Sequence, residues 1–352
     1  MKLIKTVDAE GAVLCHDITQ IIKGVTKDAV FRKGHVVTKE DIPVLLSVGK
    51  DQLYVWEKEE GMLHENDGAE ILCAMCKGEH MERSQAKEGK IELTAACDGL
   101  LKVDNKGLKA VNGFGQMMIA TRHGNFAVKK GDKLAGTRII PLVIEEEKMT
   151  KAKEAAMAAT GNKPILNLLP FKHKKVGIVT TGNEVFYGRI KDTFTPVIEG
   201  KLAEFDTEII DHVTWNDDDT KVTASILDMI HKGADIVVCT GGMSVDPDDK
   251  TPLAIKNTGA DIVSYGAPVL PGAMFMLAYY QVTEGDDTRT VAIMGLPGCV
   301  MYAKRTIFDL VLPRVMADDK VTAEELAALG PGGLCLNCPV CTFPNCGFGK
   351  GV

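Results

Sequence analysis

Two unbroken apolar runs, each stopped by Thr and Gly, constrain this chain more than any other feature. The first reads Val176-Gly177-Ile178-Val179-Thr180-Thr181-Gly182-Asn183-Glu184. The second reads Ile236-Val237-Val238-Cys239-Thr240-Gly241-Gly242-Met243-Ser244-Val245-Asp246-Pro247-Asp248-Asp249. A continuous apolar run fits a strand covered on both faces, as in a parallel sheet flanked by helices. At each stop, Gly and Thr let backbone N–H groups turn toward an anion without a bulky side chain in the way. Asp246, Asp248 and Asp249 follow the second stop. Phosphate-type donors beside carboxylates predict a phosphorylated ligand together with a divalent cation such as Mg²⁺.

The surrounding pattern is that of an α/β, doubly wound, mostly parallel sheet in three layers. Strands are predicted at 176–180, 207–213, 235–239, 261–265 and 291–294. Helices are predicted at about 193–205, 219–231, 251–257 and 299–312. In an open sheet of this kind, ligands sit beyond the carboxyl ends of the strands. Thr181, Gly182, Gly241, Gly242, Ser244, Gly295 and Gly298 all fall there. Asp192 precedes a predicted helix and can cap it. Of the acids Asp217, Asp218 and Asp219, most are expected to be a solvated cap, with room for one to face the site.

TTGNE at 180–184, Asp192-Thr193, TGGMSVDPDD at 240–249 and GLPG at 295–298 occur in that order. Together they resemble the molybdopterin-binding domain shared by molybdopterin adenylyltransferases, molybdopterin molybdotransferases and CinA-type proteins. The resemblance covers roughly residues 171–317. It implies that Thr180, Thr181, Gly182, Asn183, Thr240, Gly241, Gly242, Ser244, Gly295, Pro297 and Gly298 bind the pterin phosphate. It implies catalytic roles for Glu184, Asp192 and Asp249, with Asp249 also holding Mg²⁺. The ligand would be molybdopterin or the molybdenum cofactor. A molybdoenzyme or another protein of the cofactor pathway would be the partner.

Three departures bear on activity. The molybdotransferase loop that usually carries Lys reads Val269-Leu270-Pro271-Gly272-Ala273-Met274 here, GLPGNP reads Gly295-Leu296-Pro297-Gly298-Cys299-Val300, and no Asp-Gly-Tyr signature occurs in residues 1–170. Molybdate insertion by a transferase, a non-catalytic pterin carrier and a CinA-like nucleotide hydrolase therefore all stay open. Cys299 opens a predicted helix, whose N-terminus would lower its thiol pKa. Gly241→Val is expected to block phosphate approach with little loss of fold.

Cys335, Cys338, Cys341 and Cys346 place four thiols within twelve residues. That density in a reducing compartment suits metal ligation, by an iron–sulfur cluster or zinc, with a metal-free tail as the other reading. A helix over 321–329 would hold this tail. Since every phosphate-loop residue lies upstream, truncation after Gly330 is expected to leave pterin binding intact.

The rest divides into a small mixed module at 1–60, a helix and β-rich module at 61–147, a linker helix and lead-in at 148–170, the α/β domain at 171–317, and a helix with the Cys-rich tail at 318–352. In the first module, 12–18 reads as a strand, Thr38 as a helix cap and Leu53–Trp56 as a strand. Asn66 or Asp67 is expected to cap a helix to Met75. Asp98-Gly99 and Asn105-Lys106-Gly107 read as turn centres of an all-β module. A net charge of −7 over 352 residues argues against non-specific nucleic-acid binding. No apolar run approaches the ~20 residues of a membrane span, and no leader is evident, so a cytoplasmic location is expected. A homo-oligomer is left open.

Overall fold

A computed structural model of the chain describes residues 2–22, 26–55, 60–285 and 287–351. The chain forms two compact units, and the second inserts two short excursions into the first along the sequence. Unit 1 comprises Met1–Ala96, Val103–Arg122 and Lys130–Asn167; unit 2 comprises Cys97–Lys102, His123–Lys129 and Leu168–Val352.

Unit 2 carries the α/β domain. Its strands are β1 (Lys174–Thr181), β2 (Thr207–Trp215), β3 (Ile236–Thr240), β4 (Asp261–Tyr265), β5 (Met276–Glu284) and β6 (Asp287–Leu296). They form one sheet in the order β2-β1-β3-β6-β5-β4. The first four in that order run parallel, and β5 runs antiparallel to both β6 and β4. Besides a single turn of helix at Asn183–Phe186, the domain's helices through Met316 are α1 (Thr195–Leu202), α2 (Asp219–His231), α3 (Thr251–Asn257) and α4 (Ile307–Met316).

The layering follows from the apolar runs. Val176, Ile178, Val238 and Met294 pack on one face with Ile198 and Leu202 of α1 and Phe308 and Val311 of α4. Val179, Val237, Cys239 and Ile293 pack on the other with Val222, Ile226 and Ile230 of α2 and Ile255 of α3. Each such fully buried aliphatic side chain contributes about 1.5–3 kcal/mol of transfer free energy. The predicted three-layer α/β/α sheet is therefore present. Two differences stand out. The strand Met276–Glu284 was not anticipated. The helix expected over 299–312 is instead a 3-10 turn, Gly298–Met301, followed by α4. Thr306 and Asp309 form a capping box that starts α4 later than the GLPG turn. After α4, α5 (Ala323–Ala327) is capped by Thr322 and Glu325 within the predicted span.

In unit 1, Met81–Arg83, Lys90–Ala95, Lys133–Ile139 and Met117–Thr121 make a four-stranded antiparallel sheet in that order. The expectation of an all-β module is corrected by a helix over Asn105–Asn112. The Asp104 side chain accepts from the Gly107 N–H, so Asn-Lys-Gly starts a helix rather than centring a hairpin. Asp98-Gly99 leads directly into a strand, Gly99–Val103. The helix Glu65–Cys76 is capped by His64, whose ring accepts from Asn66 N, not by Asn66 or Asp67. The expected linker helix, Glu146–Thr160, buries Met149, Ala152 and Ala156 and ends at Gly161 in the left-handed region. In the N-terminal module the helix is Asp41–Ser47 and Thr38 makes no side-chain cap; its N–H instead donates to Asp41 Oδ2. Residues 13 and 14 form isolated bridges rather than a strand over 12–18, and Ile18 opens a separate strand. The strand Gln52–Val55 matches the expected one, Trp56 lying outside the described residues.

Candidate functional site

The carboxyl edge of the sheet is held together by hydroxyls. Thr181 Oγ1 donates to the Thr240 carbonyl at 3.2 Å and lies 3.0 Å from Thr251 Oγ1. Thr180 Oγ1 lies 3.0 Å from both Thr195 Oγ1 and His212 Nε2, and Thr240 Oγ1 reaches it at 3.3 Å. Thr180, Thr181 and Thr240 are all buried. These three predicted ligand hydroxyls thus tie β1 to β3 and to α1 and α3. The N–H of Gly182 donates to the Trp215 carbonyl, and that of Asn183 to Asp217 Oδ2.

The turn after β3 differs. Gly241 and Gly242 have φ of +82° and +54°, the left-handed region where an L side chain is strained. A Cβ on Gly241 would lie 2.1 Å from the Thr181 carbonyl oxygen. The turn can therefore close on β1 only with glycine there. Among the described residues, the N–H groups of Gly242, Met243 and Ser244 donate to no protein acceptor. Successive N–H groups leaving a left-handed turn form an anion-binding concavity. Ser244 is exposed beside them. At the end of β6, Gly295 is buried against Met243, Pro297 is buried, and Gly298 is exposed with nothing within 4 Å of a Cβ placed on it.

The acids separate into two groups. Asp192 Oδ1 accepts from the N–H of Phe194 at 2.8 Å and of Thr195 at 3.1 Å, and Oδ2 accepts the Thr195 hydroxyl at 2.6 Å. Burial pushes its pKa up, but these hydrogen bonds outweigh it and hold the carboxyl below its ordinary value. Asp192 thus organises the start of α1, through a hydroxyl that also reaches His212. The second group surrounds Asp217. Burial raises the Asp217 pKa, and the negative charges of Glu184, Asp249 and Asp248 raise it further. Asp218 caps α2 through the N–H groups of Thr220 and Lys221, so Asp217 is the member of the acid triplet turned to the loops. Next to it, the side-chain oxygen of Asn216 is buried and has no partner among the described residues. Sequence reasoning missed Asn216 and His212. His212 lies opposite Ile178 in the parallel register, which brings its ring to Thr180.

Cys299 does not become an activated thiol. Burial raises its pKa, and a four-residue 3-10 turn offers little dipole to oppose that. The 269–274 loop carries no basic residue, and Gly272 packs against Ile307.

The tail is built into unit 2. Cys335 N donates to the Leu270 carbonyl and Leu270 N to the Gly333 carbonyl, each at 2.8 Å. Phe348 is buried in the main core, with Cys335, Phe343 and Cys346 packed against it. All four tail cysteines are thiols without disulfides, Cys338 and Cys341 being exposed. Among the described residues, no three His, Cys, Asp or Glu side chains are placed to hold a metal ion. No described helix is long and apolar enough to cross a membrane.

Comparison with known proteins places the α/β domain among similar chains. Residues 177–317 match the family described as "Probable molybdopterin binding domain", and residues 3–57 match a domain of unknown function. The CinA-like protein of Mycobacterium tuberculosis is 34% identical over 77 residues, or 22% of this chain and 18% of that protein. The CinA-like protein of Mycobacterium avium is 32% identical over the same length. The chain thus spans about 18% of the length of the curated relatives it matches. Among solved structures, the tungsten cofactor synthesizing protein MoaB from Pyrococcus furiosus is 20% identical, covering 42% of this chain and 89% of that one, with a TM-score of 0.31. CinA from Thermoplasma acidophilum is 17% identical, covering 40% and 99%, with a TM-score of 0.31. The α/β domain belongs to the molybdopterin-binding domain family, on its motifs and its match over 177–317.

Proposed function

We propose that this domain binds molybdopterin, or its metal-loaded form, by the terminal phosphate, and that the protein serves cytoplasmic molybdenum-cofactor biosynthesis or delivery. The observation that carries this reading is the turn after β3, where the N–H groups of Gly242, Met243 and Ser244 donate to no protein acceptor among the described residues. An incoming phosphate would take those donors, and the unpartnered Asn216 amide suits a polar group of the pterin. The amide oxygen and nitrogen exchange places on a flip, so either a donor or an acceptor of the ligand fits it.

Mg²⁺ fits the acids Glu184, Asp217, Asp248 and Asp249 in a specific way. Mg²⁺ is usually held by one or two carboxylates together with substrate phosphate and water, not by an all-protein cage. A site lacking three converging ligands is compatible with a cation that arrives with the phosphate. When bound, it would neutralise the phosphate and relieve the negative charge that Glu184, Asp249 and Asp248 crowd around Asp217. Asp249 is the carboxylate closest in sequence to the phosphate turn that remains half-buried.

Between transferase and carrier, the basic-residue-free loop at 269–274 favours a carrier handing the pterin to a molybdoenzyme. Neutralising an oxyanion there needs a cation that the loop does not supply. Calorimetry with molybdopterin under anaerobic conditions, with and without Mg²⁺, tests the reading. Tight binding that strengthens with Mg²⁺ and weakens in Asp249→Asn is expected. Binding of nucleotides in preference to molybdopterin would favour the CinA-like hydrolase instead.

A further inference from the structure

The second concentration of chemistry lies away from the strand ends. Cys335, Cys338, Cys341 and Cys346 all line one cavity of about 250 Å³. The backbone holds it open from both ends of the Cys segment. Ahead of it, Gly333 and Cys335 bond to Leu270; behind it, Gly349 N donates to the Gly332 carbonyl. Gly349 lies so close to Leu310 that a Cβ there would approach it to 2.3 Å. In the middle, Lys304 Nζ donates to the Pro339 carbonyl between Cys338 and Cys341. Leu334, Leu336 and Phe348 supply apolar wall, and Lys304 supplies positive charge.

Two ligand geometries must be weighed. Around a single zinc, four thiolates sit about 2.3 Å from the ion and hence about 3.8 Å from one another. Among the described residues no three cysteines are gathered in that way. In a four-iron cluster each thiolate binds a different iron, so the sulfurs stand apart around a hollow that the cluster fills. Four cysteines lining one mostly apolar hollow are compatible with the second geometry. The C-x₂-C-x₂-C opening matches cluster-binding runs as well. Four thiolates give a bound cluster net negative charge, which Lys304 offsets. Arg305 is already fixed by Glu204 and Asp309 and stacked over Phe343 at 5.3 Å.

We propose that Cys335, Cys338, Cys341 and Cys346 hold a four-iron, four-sulfide cluster in this cavity. Ligation exchanges four S–H bonds for four iron–sulfur bonds and releases four protons, with no redox change in the protein. The cluster's iron and sulfide are supplied preassembled or by reconstitution.

The full chain, purified anaerobically and reconstituted with iron and inorganic sulfide, is desalted and analysed. About four irons and four acid-labile sulfides per chain are expected, with a broad visible band that bleaches on dithionite reduction. The double variant Cys338→Ser/Cys341→Ser alters two exposed positions and is expected to lose that band and most of the iron. One zinc per chain without sulfide would overturn the proposal. So would desalted wild-type protein free of metal, or iron and sulfide content unchanged in the double variant. Because the wild-type stoichiometry is decisive by itself, a misfolded variant does not rescue the proposal.

Discussion

Gly241 and Gly298 look alike in the sequence, each a glycine just past a buried strand, yet the structure uses them in opposite ways. Gly241 is sealed: its backbone is left-handed and its missing Cβ is the space occupied by the Thr181 carbonyl. Gly298 is open: it is exposed, its φ is not in the left-handed region, and nothing approaches within 4 Å. The first glycine builds the edge of the sheet, and the second leaves room on it. Thr180, Thr181 and Asp192 belong with the first and are occupied by internal hydrogen bonds. The unbonded N–H groups of Gly242, Met243 and Ser244 belong with the second. The motif residues thus divide into those that hold the sheet edge together and those whose backbone N–H groups stay unbonded.

The contrast breaks most visibly at Gly241. Gly241→Val combines a left-handed β-branched residue with overpacking against β1 and should cost about 2–5 kcal/mol. The sequence alone suggested a clean block on ligand approach. Chemical denaturation that leaves the midpoint unchanged would show that the turn is not sealed. Truncation after Gly330 comes next. The sequence predicts intact pterin binding for that chain; the structure adds that the cut removes Phe348 from the core, which should cost about 2–3 kcal/mol from that side chain alone. Thermal unfolding of the truncated chain at the wild-type temperature would contradict the tail's structural part.

Asp192→Ala should cost about 1–2 kcal/mol, the worth of a lost helix-start cap. Asp192→Asn should recover part of it, since its oxygen can still accept from Phe194 and Thr195. If Asp192→Ala instead left stability intact and lowered only ligand affinity, the residue would move to the lining group. The smallest effect concerns Asp217. Its folded pKa is raised, so its favourable contribution is complete below the ordinary carboxylate value and is lost as pH rises through the folded pKa. Asp217→Asn should therefore stabilise the ligand-free protein at neutral pH and leave it unchanged in acid. An equal shift at both pH values would remove the charge-crowding explanation.

Much of the sheet was legible because its strands are apolar throughout and stop at Thr and Gly. The order β1, β2, β3 with α1 and α2 between them follows from that punctuation. Strand Met276–Glu284 was harder, because Leu270-Pro271-Gly272 reads as a loop and hides the run behind it. At Asn105–Asn112 the sequence pattern points to a hairpin, since Asn-Lys-Gly is a good hairpin centre; the deciding residue is Asp104, whose carboxylate caps the helix from outside the motif. The strand-end glycines are legible in the sequence, but which neighbouring residues are tied up in internal hydrogen bonds is not. Whether a hydroxyl faces a ligand or a neighbouring strand depends on register, as does the meeting of His212 with Thr180. The tail's thiols were visible as spacing, whereas their shared cavity depends on Leu270 and Lys304, far away in sequence.

The measurement closest to the central claim is calorimetric titration of molybdopterin into wild type and Gly298→Val. A Cβ placed on Gly298 meets nothing within 4 Å, so the unfolding free energy should stay within about 0.5 kcal/mol of wild type. Affinity should fall at least tenfold, as the new side chain occupies the space left on the sheet edge. Unchanged affinity in Gly298→Val, with the fold intact, would contradict the assignment of the open turn to the ligand.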